Sequence, residues 1–565
     1  MVALHGPHVP PACQAHRCTA MSAPASLPAS LAQHHATVHP YAGLDFNWLL
    51  DSRSSAHPDK TFLTWEPFQQ ADGSEGQAKA YTYAAFRDHV LATARALLAQ
   101  GVKAGDTVLI HLDNCPEFLF AWCACARLGA VAVTTNTRSA PDELDYFASH
   151  SQAVGVISQT GLADRLPLGA SSGLGWVVLL DDIGQQQTVP AQLPAHLTWA
   201  QFIARGEGRE LPALPADPER SMSVQYTSGT TSRPKGVLFT HANALFSGRQ
   251  NALHEGLQAD DVHMIQMPLF HLNALGYSFL ASLWAGASIV LQPRFSASRF
   301  WPVAVRNRCT WGSMVPFCLR AIHAQGPAPQ HHFRMWGMGA RDVPMALELG
   351  VQTLSWYGMT ETISHAICSM PGLPSPLGSI GWASPAYDIR VLNDDGTPTA
   401  MGQTGHLRVR GRRGVSLFKE YLNNPEATAS SFDEHGFFIT GDRITLLPNG
   451  CMQFADRDKD MLKVGGENVA ASEIERVIAT VPGVAEAAIV GLKDPLRDEL
   501  PVAFVLSTLP QAEHADLIER VLSTCRAKLA DFKVPVQVHV VDELPRGTLE
   551  KVSKVTLRQR LQPAA

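Results

Sequence analysis

Between Tyr226 and Val237 the chain reads YTSGTTSRPKGV. The hydroxyls of Tyr226, Thr227, Ser228, Thr230, Thr231 and Ser232 all precede the ammonium of Lys235. Gly229 permits a tight backbone turn, and amides in such a turn converge on an anion. Lys235 adds a point charge. The combination suits phosphate. A P-loop NTPase places glycine before its lysine and Ser or Thr after it. Here Pro234 precedes Lys235 and Gly236 follows, so no helix N-terminus begins at the lysine and nucleotide hydrolysis of that type is disfavoured. Other chemistries find less support. The 23 histidines include no HExxH, and the 10 cysteines include no CxxC. Neither a zinc site nor a disulfide framework is indicated, and a reducing, cytoplasmic compartment is expected.

The loop is bracketed by strand-like runs, one ending at 224–226 and one starting at 236–239. The surrounding elements alternate. Thr82 is placed to cap a helix with its apolar face at Phe86, Val90, Leu91, Ala94, Leu97 and Leu98, and Gly101 stops it. DTVLIHL reads as a buried strand, 116–128 as a helix, and AVAVTTN, AVGVISQ, WVVLLDD and ASIVLQ as further strands. Apolar strands without strict alternation, separated by helices, predict parallel sheets covered on both faces. After Gly378 the segments shorten and turns multiply, which predicts a smaller antiparallel β module. Ser472 and Glu475 have the spacing of a capping box. They open a last unit of helices and strands. The predicted fold is α/β: a disordered tail over 1–40, a large N-terminal domain of parallel-rich sheets with an antiparallel β module over 41–458, and a small mobile α+β domain over 459–565.

The length of 565 residues requires more than one domain. An apolar fraction of 45%, a charged fraction of 17% and a net charge of -6 fit an ordinary globular protein. They argue against nucleic acid or an anionic membrane as main partner. The most apolar run, 118–133, is broken by Arg127, so no stable membrane insertion is expected. The first residues lack the basic start and apolar core of a signal peptide, and Met21 is a second candidate start.

Three further segments, SWYGMTET (355–362), ITGD (439–442) and ADRDKDMLKVGGENVAASEIE (455–475), follow the loop in order. With it they resemble the signature segments of the adenylate-forming superfamily of acyl-CoA synthetases and luciferases, from about residue 50 to the end of the chain. The resemblance implies an acid–thiol ligase. A carboxylate attacks the α-phosphorus of ATP, leaving an acyl-adenylate and pyrophosphate, and coenzyme A then displaces AMP. Such a protein must mainly neutralise phosphate charge and align the attack.

The same resemblance implies roles. Thr227, Ser228, Gly229, Thr230, Thr231 and Lys235 would hold the phosphates, and Thr230 with Glu361 would hold Mg²⁺. Tyr357 would face adenine beside Gly339, and Thr360 would donate to the α-phosphate. Asp442 would accept the ribose hydroxyls, with Arg457 nearby. Lys459 would be the hinge, Gly465 and Gly466 would line the pantetheine channel, and Lys551 would be the catalytic lysine, with Lys554 a second basic position. Lys551 follows Glu550 where the family usually has glycine.

TSGTTSRPKGV, WYGMTETI, LFKEY and GGENV are most similar to the crotonobetaine/carnitine-CoA ligase-type branch. The stretch expected to line the acyl pocket, MPLFHLNALGYSFL (267–280), carries Phe270, His271, Tyr277 and Phe279 and no acidic residue. His271 and Tyr277 are the candidate substrate residues. A fatty or mainly apolar carboxylic acid is favoured, with fatty acid metabolism as context. A betaine-type acid is the alternative, since aromatic rings also suit a quaternary ammonium. A free-standing adenylation enzyme loading a carrier protein and a nucleotide-binding protein without activity are the rivals. A homodimer is compatible with this reading.

Overall fold

The computed structural model describes residues 39–68, 74, 76–139, 141–166, 173–181, 195–227, 234–457, 460–464, 467–494, 497–529, 531–546 and 552–561. Residues 1–42 and 43–565 form separate units. Of the first, only 39–42 are described, and the expected tail over 1–38 lies outside the described residues.

Among the described residues the strands of the second unit build sheets of nine, four, eight and five strands. Thr107–His111, Val131–Thr134, Ala153–Gln159, Val177–Leu180 and Ser221–Thr227 run parallel in the eight-stranded sheet, and the first four fall in the apolar segments from which parallel sheets were expected. Lys235–Thr240 turns back antiparallel on Ser221–Thr227, with Thr227 opposite Lys235. Glu420–Tyr421 then adds an edge strand to it. The nine-stranded sheet has a parallel centre of Ser288–Leu291, Val262–Ile265, Trp311–Ser313, Met335–Met338 and Gln352–Tyr357. Thr61–Trp65 joins it beside Ser288–Leu291, more than two hundred residues later in the chain.

Local sequence accounts for the helices. Pro116–Leu128 starts on proline and ends at Gly129 with φ 68°, and its sides are buried almost all round, as a core helix requires. Tyr83–Ala99 is capped by the Thr82 side chain, which accepts from the Ala85 amide at 3.1 Å. In His241–Glu255, Thr240 and Asn243 exchange the bonds of a capping box. No described helix is long and apolar enough to cross a membrane.

Asp388–Leu392, Thr404–Arg410, Phe438–Leu446 and Met452–Arg457 form the antiparallel sheet expected after Gly378. The smaller C-terminal domain carries the five-stranded sheet around its own apolar core of Leu462, Val469, Ile474, Ile489, Val505 and Val521. The capping box expected at Ser472 and Glu475 is not formed. Helix Ala471–Ile478 begins one residue before Ser472, whose hydroxyl donates to the Ala455 carbonyl. Glu475 instead accepts from the Ile489 amide at 2.8 Å and pairs with Lys554 at 2.9 Å. The tertiary partners outcompete the local ones because they tie this helix to a neighbouring strand and to the last helix. Glu486 links the two domains. Its carboxylate meets Arg546 at 2.6 Å and Arg320, on helix Pro316–His323 of the large domain, at 3.2 Å.

Candidate active site

Among the described residues singled out by their chemistry, Lys235, Glu361 and Asp442 come from three different sheets or their ends. Lys235 opens a strand of the eight-stranded sheet. Glu361 sits in a single tight turn, Thr360–Thr362, just beyond Gln352–Tyr357 of the nine-stranded sheet. Asp442 lies within Phe438–Leu446 of the antiparallel sheet.

The turn that carries Glu361 is strained and then tied down. Ile363 has φ 65°, a left-handed conformation that a β-branched residue adopts only under tertiary constraint. The Ser247 hydroxyl donates to its carbonyl at 3.1 Å, and the Phe418 amide donates to the carbonyl of Glu361 at 2.9 Å. Gly358, before the turn, has no room for a side chain, because an added Cβ would lie 2.5 Å from the Tyr277 hydroxyl.

Glu361 is 5% exposed, and its Oε1 accepts the hydroxyl of Tyr421 at 2.9 Å. The Lys235 ammonium stands 4.7 Å from the centre of the same tyrosine ring, within cation–π range. One aromatic residue therefore spans the cation and the carboxylate. Burial and the neighbouring Glu361 charge push the Tyr421 phenol well above its ordinary range, so it stays protonated as a donor. Tyr421 is held by pairing with Val237 and by its amide, which donates to Thr428 Oγ1 at 3.0 Å. Asn243 Nδ2 holds the chain just before it through the carbonyls of Val415 and Leu417.

The Tyr357 hydroxyl donates to Asp442 Oδ2 at 2.6 Å, and its ring stacks on Phe454 at 6.2 Å. A carboxylate has about four lone-pair directions, so this bond leaves Asp442 capacity for further donors. Arg457 is the direct strand partner of Asp442. Thr360 is half-buried in the Glu361 turn, and Gly339 is exposed with open space where a side chain would project. Ser228, Gly229, Thr230, Thr231 and Ser232 of the phosphate-like loop lie outside the described residues, as do Lys459, Gly465, Gly466 and Lys551.

The stretch expected to line the acyl pocket divides its side chains. Asn273–Leu280 is a π-helix, a wide turn often found at functional sites. Phe279 faces the Phe62 and Phe86 rings. Tyr277 packs edge-on against His365 at 4.2 Å, and His271 is half-buried against Phe270 at 4.6 Å. Leu272, Leu275 and Leu280 instead line a small void of about 20 Å³ together with Ile363. Neither His271 nor Tyr277, the candidate substrate residues, lines this void. Sequence reasoning missed Tyr421, which it noted only within LFKEY. A tyrosine in a short run before an Asn-Asn-Pro turn was the available signal, and its partners came from distant segments.

The donor set fits Mg²⁺ bound to phosphate. Among the described residues no three His, Cys, Asp or Glu side chains gather into a metal cluster. A hard cation held mainly by phosphate and water needs only one or two carboxylates from the protein, and Glu361 is such a group.

Comparison with known proteins decides the family. The AMP-binding enzyme family matches residues 50–422, and the AMP-binding enzyme C-terminal domain matches 473–551. The chain belongs to the AMP-binding enzyme family. Within this adenylate-forming superfamily it is similar to a crotonobetaine/carnitine–CoA ligase of Salmonella paratyphi A, at 33% identity over 91% of this chain and 99% of that protein. ATP-bound MatB from Rhodopseudomonas palustris shares the fold with a TM-score of 0.78, at 26% identity over 92% of this chain and 99% of that one. O-succinylbenzoate coenzyme A synthetase from Bacillus subtilis, in complex with ATP and magnesium ion, does so with a TM-score of 0.74, at 27% identity over 91% and 98%. This family member is an AMP-forming acid–CoA ligase, and use of ATP and coenzyme A fits the family.

Proposed function

We propose that this ligase activates a mainly apolar carboxylic acid as its acyl-adenylate and transfers it to coenzyme A, with the Lys235–Tyr421–Glu361 assembly as the phosphate side of the site. The observation that carries the reading is that assembly: a cation and a carboxylate on different sheets, bridged by one tyrosine. In this reading Lys235 and the loop residues Thr227, Ser228, Gly229, Thr230 and Thr231 neutralise the β- and γ-phosphates, which makes pyrophosphate a better leaving group. Thr230 and Glu361 would hold Mg²⁺, which supplies further positive charge to the phosphate oxygens when bound. Tyr421 orients Glu361 by donating to it. Tyr357 presents its ring to adenine beside Gly339 and, through its hydroxyl, fixes Asp442 for the ribose. Thr360 serves the α-phosphate and Arg457 the ribose or phosphate. Lys551 aligns the acid with the α-phosphate. Gly465 and Gly466 line the thiol path after the domain beyond Lys459 turns.

The acyl chain would lie along the 267–280 stretch, which contains the Asn273–Leu280 helix. That stretch carries Phe270, His271, Tyr277 and Phe279 and no carboxylate for a quaternary ammonium, which suits an apolar acid. His271 and Tyr277 would be its substrate residues. ATP–pyrophosphate exchange with a panel of short, medium and long apolar acids and betaine-type acids tests the reading. Exchange with apolar acids, followed by thioester formation on coenzyme A, is expected. Exchange confined to betaine-type acids would replace the substrate reading, and ATP binding without exchange would end the enzymatic one.

A further inference from the structure

Helix Pro141–Ser151 gathers the ends of three strands beside Lys235 and Tyr421. Its Tyr146 hydroxyl donates to the Pro234 carbonyl at 3.0 Å. Its His150 Nδ1 and the Tyr226 hydroxyl share a hydrogen bond at 2.9 Å, and the Tyr226 ring lies 4.2 Å from that of Phe147. The His150 carbonyl accepts from Asn423 Nδ2 at 2.8 Å. That carbonyl belongs to the last turn of the helix, where carbonyls lack a partner within the helix. Tyr146 and His150 are four residues apart, so they stand on one face, with their rings 5.0 Å apart.

These contacts fall where the sheet itself stops holding the chain. Thr227 and Lys235 are the last pair of their antiparallel ladder. Pro234, one residue before Lys235, has no N–H and a fixed φ, so its carbonyl is its only backbone hydrogen-bonding group. That carbonyl shares its peptide plane with the Lys235 amide, so fixing the one orients the other. Asn423 comes two residues after Tyr421, where the edge strand Glu420–Tyr421 has ended. Its φ of 51° is left-handed, a conformation that asparagine tolerates. Leu422, between them, donates its amide to the Gly236 carbonyl at 2.7 Å. One helix thus holds the chain next to Lys235 and next to Tyr421, the two residues that meet at 4.7 Å.

We propose that Tyr146 and Asn423 are positioning residues for the Lys235–Tyr421 contact, with helix Pro141–Ser151 as their common support. The inference rests on the ligase reading, in which that contact serves the phosphates of ATP. A cation is drawn to a ring only within about 6 Å of its centre. Strand ends without support fray, and the two hydrogen bonds keep the ammonium and the ring within that range.

The test measures Kd for ATP with Mg²⁺ by calorimetry on the full-length protein, with thermal unfolding alongside. Tyr146→Phe keeps the ring and removes the hydroxyl. It is expected to weaken ATP binding by about threefold to tenfold, as loss of one hydrogen bond does. In a Lys235→Met background the same change is expected to weaken it by less than about twofold, because the hydroxyl acts through the ammonium. Asn423→Gly keeps the left-handed backbone and removes the donor, and Asn423→Asp cannot donate either. Both are expected to weaken ATP binding by a similar factor. An unchanged Kd in Tyr146→Phe, full weakening in the Lys235→Met background, or ATP binding by Asn423→Gly equal to that of the unaltered protein each overturns the proposal. A lowered Tm with unchanged Kd assigns these contacts to stability alone and overturns it as well. If Tyr146→Phe does not fold, or Lys235→Met does not bind ATP, the two Asn423 variants decide. Unaltered ATP binding in all the Tyr146 and Asn423 variants removes this inference and leaves the ligase reading intact. No ATP binding by the unaltered protein removes both.

Discussion

The Tyr421 hydroxyl donates to Glu361 Oε1 at 2.9 Å, while the Lys235 ammonium lies 4.7 Å from the centre of the same ring. The arrangement separates two functions that one substitution can divide. Tyr421→Phe removes the hydrogen bond and keeps the ring under Lys235. A hydrogen bond to a charged group contributes about 1.5–3 kcal/mol, so adenylation should fall by roughly tenfold to a hundredfold. The loss should be partly recovered at raised Mg²⁺, as read by ATP–pyrophosphate exchange across a magnesium titration. A magnesium dependence identical to that of the unaltered enzyme would remove Tyr421 from the metal side of the site.

Tyr357 and Asp442 make a second such pair, joined at 2.6 Å between two sheets. Tyr357→Phe leaves the ring for adenine and takes a donor from a buried carboxylate. KM for ATP should rise by roughly tenfold, with a smaller change in kcat. An unchanged KM for ATP would show that Asp442 holds its position without the phenol.

Lys551→Ala should depress adenylation far more than thioester formation from supplied acyl-AMP, since its ammonium is assigned to the first half-reaction alone. Equal loss of both half-reactions would reject that assignment.

The fold should be sensitive to mild acid through its buried histidines. Burial pulls the His254 imidazole down from its ordinary 6.5 to about 4. His263 and His365 are depressed by burial as well. Between these pH values the unfolded chain binds the proton that the folded chain refuses. Stability is therefore complete above pH 6.5 and is lost as the pH falls toward 4. The shift from 6.5 to about 4 corresponds to about 3 kcal/mol for His254. Thermal unfolding followed against pH should show Tm dropping across this window, with a shallower drop in His254→Gln. A Tm that rises on acidification would contradict the assignment.

Much of the local structure was legible along the chain. Helix Pro116–Leu128 and the Thr82-capped helix follow from proline, glycine and threonine punctuation together with apolar spacing. The parallel and antiparallel halves followed from whether apolar residues ran together or alternated with turns. Lys235, Glu361, Tyr357 and Asp442 stood out because each sits in a short segment whose residue types make chemical sense together. The Ser472–Glu475 capping box was misread because a local hydrogen bond seen in sequence competes with partners that sequence does not show.

By itself, then, the amino-acid order determined which segments become helices and strands and which side chains carry charge, hydroxyl or ring. These depend on interactions within a few residues, where spacing along the chain equals spacing in space. Only the tertiary structure decided that Tyr421 joins Lys235 to Glu361, that Tyr357 meets Asp442, and that Glu475 pairs with Lys554 instead of capping its own helix. Those relations join residues brought together by sheet order and helix rotation. Both are set by burial of the whole apolar surface, which no single segment encodes.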